Sequence, residues 1–100
     1  MSNHSITVHS LIWCLALFLS ACVITPPVQE MSNARQTIQA AKDVGAEMHA
    51  PEMLALAQRL LDKASKQMEN GDYHVARNFA LEAKQQALQA RQKALLKRKK

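Results

Sequence analysis

The sequence predicts an all-α fold, either an antiparallel helical hairpin or a three-helix bundle with an alanine-rich, coiled-coil-like seam. Small and aliphatic residues recur at alternating gaps of three and four, the spacing that places side chains on one face of a helix. Two glycines and a proline divide this pattern into three segments. A chain of 100 residues has room for one small domain.

The N-terminal segment ends in a motif that resembles a bacterial lipobox. Residues 11–19 form an uninterrupted apolar run that is too short to cross a bilayer and is typical of a signal peptide. A short uncleaved anchor or a buried helix are the alternatives for this run. Leu19, two small residues and Cys22 then follow the pattern of the lipobox, in which a lipid is attached to the cysteine thiol.

We expect residues 1–21 to be removed as a signal peptide and Cys22 to be lipidated. Cys14 would leave with the signal peptide, so the mature chain could form no intramolecular disulfide. The resemblance implies a diacylglycerol thioether and a further acyl group on the freed amine, and more than one acyl chain anchors a protein stably. Val23 stands where an aspartate would favour the inner membrane, which favours a bacterial outer membrane lipoprotein facing the periplasm.

A short linker and a helical domain make up the rest of the chain. Residues 22–28 contain two consecutive prolines, which favour an extended spacer. The helical domain spans residues 29–98 and ends in a basic tail at 97–100. Its helices are predicted at about 28–44, 51–70 and 72–97.

The first predicted helix carries an apolar stripe and ends at a glycine. Gly45 is expected to take a positive φ after the last helical residue. Residues 46–50 are expected to form a connection, and Pro51 should open the next helix, where its missing N–H costs nothing. Ala50 precedes this proline and is biased away from the α region. The stripe consists of Met31, Ala34, Ile38, Ala41 and Gly45.

The second predicted helix ends at Asn70 and Gly71, a strong stop signal. Asp72 is expected to cap the third helix with its carboxylate. A turn this short folds the second and third helices against each other in antiparallel orientation. The predicted stripe of the second helix is Met53, Ala57, Leu61, Ala64 and Met68, widened by Leu54, Leu56 and Leu60.

The third predicted helix has a seam made of alanine. Small side chains allow close approach of helices, but each buries little apolar area. We therefore expect the best-packed region on the second helix and at the start of the third. The larger apolar residues there are Leu54, Leu60, Leu61, Tyr73, Val75 and Phe79. Beyond Leu88 the helix has no obvious partner within the chain, so this end is expected to project or to dimerise. The seam alanines are Ala76, Ala80, Ala83, Ala87, Ala90 and Ala94.

The net charge of +5 comes from the C-terminal end. Basic and acidic residues nearly balance between positions 22 and 90, whereas six basic residues and no acidic ones follow. This distribution does not predict a nucleic-acid partner. The tail either complements the dipole of the last helix or contacts peptidoglycan, another envelope polyanion or anionic lipid head groups. It consists of Lys97, Arg98, Lys99 and Lys100.

The mature chain contains no pattern that predicts catalysis or cofactor binding. His49 and His74 are its only histidines and lack the i, i+4 spacing of a helical metal site. Its acidic residues alternate with basic ones at helix-surface spacings, for example Asp62 with Lys66. We expect no catalytic residue, no metal site, no cofactor and no enzyme activity.

The helical domain resembles an alanine-rich domain of unknown function found in bacterial envelope lipoproteins. The resemblance covers about residues 34–94 and implies a helical, non-enzymatic module. In relatives the domain often precedes an OmpA-like peptidoglycan-binding domain; none follows here, so that binding is not carried over. A tetratricopeptide-like hairpin has a similar pattern. The matching residues are Gly45, Ala46, Ala50, Pro51, Leu54, Ala57, Leu61, Ala64, Gly71, Asp72, Tyr73, Ala76, Ala80, Ala83 and Ala87.

Two functions remain open at this point. The first is a membrane-anchored structural or adaptor lipoprotein that packs helices against a protein partner or a second copy of itself. The second is a cell-wall or polyanion-binding tether that uses the basic tail. A helical, lipid-anchored chain ending in Lys100 is also similar to the major murein lipoprotein, which implies a terminal lysine joined to peptidoglycan.

Overall fold

The structure, a computed structural model, describes residues 25–99 as an all-α bundle of three long helices and one short helix. The predicted fold class is confirmed. The three long helices begin and end within one residue of their predicted bounds. In chain order the helices are α1 (Val28–Asp43), α2 (Ala46–His49), α3 (Pro51–Glu69) and α4 (Tyr73–Arg98).

Glycine in the left-handed region ends α1 and α3. Gly45 has φ 88° and Gly71 has φ 83°, values that favour glycine because it has no Cβ. After α3 the backbone closes in two hydrogen bonds. The Asp72 N–H donates to the Gln67 carbonyl at 2.9 Å, and the Gly71 N–H donates to the Met68 carbonyl at 3.1 Å. This pairing is the Schellman motif, and it reverses the chain within three residues.

Helices α3 and α4 begin where the sequence predicts, but one predicted capping contact is not formed. Pro51 occupies the first turn of α3, and Ala50 before it is non-helical with φ −146° and ψ 51°. Asp72 precedes α4 as predicted, but its carboxylate makes no capping hydrogen bond. Its backbone carbonyl accepts from the Ala76 N–H at 2.9 Å instead. The Asp72 side chain is exposed, so water can solvate the carboxylate.

The packing of buried residues gives the helix directions. One cluster joins Met31 of α1, Ala64 of α3 and Ala80 of α4. The neighbouring cluster joins Ala34, Leu60 and Ala83 in the same order. From the first cluster to the second, the residue numbers increase along α1 and along α4 but decrease along α3. Helices α1 and α4 are therefore parallel, and α3 runs antiparallel to both.

The alanine seam of α4 is the centre of the bundle. All six seam alanines are fully buried, and both α1 and α3 pack against α4. Small side chains along the whole seam let the helices approach closely, so that a thin core can still be continuous. No polar or charged side chain is buried within residues 25–99. The seam is therefore a purely apolar packing surface.

The end of α4 has intrachain partners, so the prediction that it projects beyond Leu88 is wrong. Ala90 and Ala94 are buried in the largest core cluster, together with the end of α1 and the start of α3. The segment predicted as a connection supplies the missing partner, since residues 46–49 form the short helix α2. The remaining members of this cluster are Ile38, Ala41, Ala46, Ala50, Leu54, Ala57 and Ala87.

The expectation of best packing on the second helix and at the start of the third is confirmed only in part. Leu54 and Leu60 of α3 are buried, whereas Val75 is 42% exposed and Tyr73 is half-buried. The buried face of α3 is rotated from the predicted stripe, so that residues expected at its edge lie at its centre. The buried residues of α3 are Leu54, Ala57, Leu60 and Ala64, while Met53, Leu61 and Met68 are half-buried.

Phe79 extends the core on the side where α3 meets α4. Its ring packs half-buried against both of the clusters that contain Ala80 and Ala83. Lys63 of α3 lies over this ring, with its Nζ atom 5.7 Å from the centroid. A cation at this distance from an aromatic face is attracted by about 0.5–1 kcal/mol at an exposed site.

Candidate functional site

The predicted lipidation site and the predicted signal peptide cannot be located in the bundle. Cys22, residues 1–21 and the terminal Lys100 lie outside the described residues. The chain enters the described part at Thr25, three residues after the cysteine. The structure describes the helical bundle that follows this predicted anchor in the chain.

Arg77 fixes the point where the linker meets the bundle. The Arg77 Nε donates to the Glu30 Oε1 at 3.1 Å, which joins the start of α4 to the start of α1. The Arg77 Nη2 donates to the Thr25 carbonyl at 2.9 Å, which holds the linker itself. Pro27 is fully buried next to this point. The linker at Thr25 is therefore held against the bundle, at the end where α1 and α4 begin.

Arg77 was not recognised from the sequence, although a signal was present. It is the only basic residue in the first two turns of α4, and Glu30 is the only acidic residue in the first turn of α1. In a bundle whose first and last helices are parallel, these turns lie at the same end. Predicting this pair would therefore have required knowing that α1 runs parallel to α4. The predicted hairpin of the second and third helices does not give the direction of α1.

The basic tail lies at the opposite end of the bundle from Thr25. Lys97 and Arg98 form the last turn of α4, Lys99 follows it, and all three side chains are exposed. At 1.5 Å per residue the 26 residues of α4 span about 39 Å. Within residues 25–99 these cations make no salt bridge. They are free to interact with an external anion, and cations here also complement the helix dipole.

The histidines are at opposite ends of the bundle. His74 lies in the first turn of α4 and is exposed, whereas His49 ends α2 and is half-buried near the other end. Residues 25–99 contain no group of three or more His, Cys, Asp or Glu that could hold a metal ion. Within residues 25–99 the one salt bridge is the pair of Arg77 and Glu30.

A row of exposed leucines on α4 was also missed in the sequence. Leu81 is 50% exposed, Leu88 is 41% exposed and Leu96 is 61% exposed. For Leu81 and Leu88 the signal was their position, since each directly follows a seam alanine. Leu95 continues this spacing of seven but is half-buried, and the exposed side chain at that end is its neighbour Leu96. A residue one step from a buried position is turned by about 100° around the helix and lies outside the core. This leucine row is the main apolar feature of the described surface of α4.

Comparison with known proteins identifies the domain. A family model, the domain of unknown function DUF4398, matches residues 29–100. The chain belongs to this family. No curated protein and no solved structure shows significant similarity to it. The DUF4398 match begins just after α1 starts and covers every described helix.

The DUF4398 match includes the surfaces that could act on other molecules. Arg77, the leucine row and the basic end of α4 all lie within it. None of the helices in residues 25–99 is both long and apolar enough to cross a membrane.

Proposed function

We propose that this protein is a non-enzymatic bacterial envelope lipoprotein, anchored through lipid on Cys22, in which the DUF4398 bundle acts as a structural or adaptor module. The lipid anchor rests on the motif at residues 19–22, and the placement of the bundle beside it rests on the hydrogen bond from Arg77 to the Thr25 carbonyl. Three extended residues span at most about 11 Å, so this contact keeps the lipidated cysteine close to the bundle. The anchor and the bundle would then move as one unit.

The surface chemistry supports an adaptor rather than an enzyme. The core of residues 25–99 is wholly apolar, and every charged side chain lies at the surface or is half-buried. Such a bundle offers helical faces for binding. A rigid rod of about 39 Å would carry those faces away from the membrane on which the lipid sits.

Replacing the cysteine tests the anchor. Cys22→Ser should move the protein from the membrane fraction to the soluble fraction and abolish incorporation of labelled fatty acid. Cys14→Ser is the matched control and should leave both unchanged, because Cys14 would be removed with the signal peptide. Unaltered membrane association of Cys22→Ser would contradict the proposal.

The basic end of α4 favours a second candidate function, a tether to envelope polyanions. Lys97, Arg98 and Lys99 are exposed and lie at the end of the bundle remote from Thr25. With an upright bundle they would reach away from the anchoring membrane, towards the cell wall. Removal of residues 97–100 should then abolish salt-sensitive binding to purified peptidoglycan, while membrane association persists. Unchanged peptidoglycan binding after this deletion would exclude the tether.

A further inference from the structure

We propose that the outward face of α4 is the interface for a second copy of this chain, with the two α4 helices side by side and parallel. The face is built on Leu81, Leu88 and Leu95, with Leu96 beside the last. This inference rests on the proposed lipid anchor, because a shared membrane gives both copies the same orientation. It names the partner of the adaptor module and the surface that binds it.

The leucine row forms a second heptad on α4, separate from the alanine seam. Three leucines lie seven residues apart, and the seam alanines that precede them are fully buried in the bundle. A straight helix drifts by about 20° per heptad relative to such a row. The drift explains why Leu95 is half-buried at the far end, while Leu96 is 61% exposed there. The apolar row therefore stays at the surface along its whole length.

The positions between the leucines are neutral amides. Asn78, Gln85 and Gln92 each precede a leucine by three residues, and all three side chains are exposed. This arrangement corresponds to leucine at the d positions and a polar residue at the a positions of a coiled coil. An amide both donates and accepts hydrogen bonds, so it can pair with the same amide of a second copy. A row of amides therefore favours pairing with itself and fixes the register.

The charges beside the row distinguish parallel from antiparallel pairing. In a parallel pair each residue before an amide faces the residue five positions later in the second copy. Arg77 would then face Glu82 of the second copy, Lys84 would face Gln89, and Arg91 would face Leu96. In an antiparallel pair centred on Leu88, Lys84 would instead face Arg91, a like-charge contact that is unfavourable. The charge pattern of α4 therefore selects the parallel pair.

Arg77 has further N–H donors for the expected contact with Glu82 of the second copy. A guanidinium group has five N–H donors, and within one chain Arg77 uses Nε for Glu30 and Nη2 for Thr25. Its side chain is 32% exposed, so the remaining donors can reach a neighbour. The residue that holds the linker would thus lie at the membrane-proximal end of the dimer interface.

The size of the face indicates that the membrane is needed for pairing. From Leu81 to Leu96 the row extends about 22 Å at 1.5 Å per residue, and one helix of each copy supplies it. Such an interface lies at the small end of the range for specific complexes. Confinement of both copies to one surface raises their effective concentration without any new contact. We therefore expect dimers in the membrane and mainly monomers in dilute solution.

Disulfide crosslinking of the full chain in its own membranes tests the face and the orientation together. Leu81→Cys and Leu96→Cys should each give a disulfide dimer on mild oxidation. Arg59→Cys is the matched control, because Arg59 is exposed on α3 and forms no ion pair in the described structure. Dimer yields at positions 81 and 96 no higher than at position 59 would overturn the proposal. Co-expressed Leu81→Cys and Leu96→Cys chains that crosslink only 81 to 96 would show antiparallel pairing and would also overturn it.

A surface variant separates loss of pairing from loss of folding. Leu88→Glu in the Leu81→Cys chain should reduce the dimer yield about ten-fold, because pairing would have to bury a carboxylate of each copy in place of a leucine that is 41% exposed in one copy. Met48→Glu, at a side chain that is 80% exposed on α2, should leave the yield unchanged. An unchanged yield with Leu88→Glu, or a crosslink to a different protein at position 81, would contradict the second copy as occupant.

Fractionation of the same samples keeps the two proposals distinguishable. A chain that is absent from the membrane fraction contradicts the lipid anchor, whatever its crosslinks show. A chain that is present in the membrane but gives no dimer above the Arg59→Cys level contradicts only the interface. Dimers at positions 81 and 96 in the membrane fraction support both.

Discussion

The Arg77 guanidinium joins the start of α4 to Glu30 and Thr25, which lie 47 and 52 positions earlier in the sequence. Its Nε lies 3.1 Å from the Glu30 Oε1, and its Nη2 lies 2.9 Å from the Thr25 carbonyl oxygen. One side chain of α4 therefore holds both the first turn of α1 and the linker before it.

Arg77→Ala is expected to destabilise the bundle by about 1 kcal/mol. The ion pair is partly exposed, so it contributes only about 0.2–1 kcal/mol, and the hydrogen bond to the backbone adds a similar amount. Urea unfolding of residues 23–100 measures the change. The linker near Thr25 should also become more susceptible to limited proteolysis. Arg59→Ala is the control, and an equal effect at both positions would argue against the specific role of Arg77.

Enlarging a seam alanine should be costly because the seam has no free space. Ala87 is fully buried, and inserting three further carbon atoms forces neighbouring helices apart at a cost of about 1–3 kcal/mol. For a domain of this size the melting temperature should fall by roughly 4–8 °C per kcal/mol. Ala87→Leu is compared with Lys93→Leu, an exposed site on the same helix, by thermal denaturation. A melting temperature unchanged by Ala87→Leu would contradict the packing described for the seam.

The turn between α3 and α4 should depend on glycine for its backbone conformation alone. A Cβ at Gly71 would meet no atom within 4 Å, so only the positive φ opposes substitution. Gly71→Ala should destabilise the bundle by about 1–2 kcal/mol. Gly71→Asn should cost less, because asparagine tolerates the left-handed region better. Chemical denaturation of both variants checks this order, and equal losses would point to a different cause.

Two truncations should show that the bundle needs the packed end of α4 for its stability but does not need the basic tail. Removal of residues 89–100 takes away Ala90 and Ala94, which lie in one core cluster with Ile38 and Leu54. We expect this deletion to unfold the bundle or to leave a molten state without a sharp thermal transition. Removal of residues 97–100 deletes the side chains of residues 97–99, all of which are exposed, and should leave the melting temperature nearly unchanged. Circular dichroism of both deletions provides the measurement, and a stable bundle without residues 89–100 would contradict the assigned packing.

The sequence alone determined the three long helices and their limits. Local chemistry sets these features, since Gly45, Gly71 and Pro51 act on the backbone whatever packs nearby. The alanine seam could also be predicted, because a regular gap of three and four residues places six side chains on one face. The lipidation of Cys22 is inferred from a linear motif and stays a prediction.

The tertiary structure decided which faces meet and which remain exposed. The sequence pattern of α3 allowed several neighbouring stripes, and contact with α4 selected the one through Leu54 and Leu60. The burial of Ala94 depends on the short helix α2, whose four residues are too few to show a periodic pattern. The exposure of Leu81 and Leu88 and the link from Arg77 to Glu30 both follow from the parallel placement of α1 beside α4. That placement arises from contacts between residues almost fifty positions apart, which local propensity does not encode.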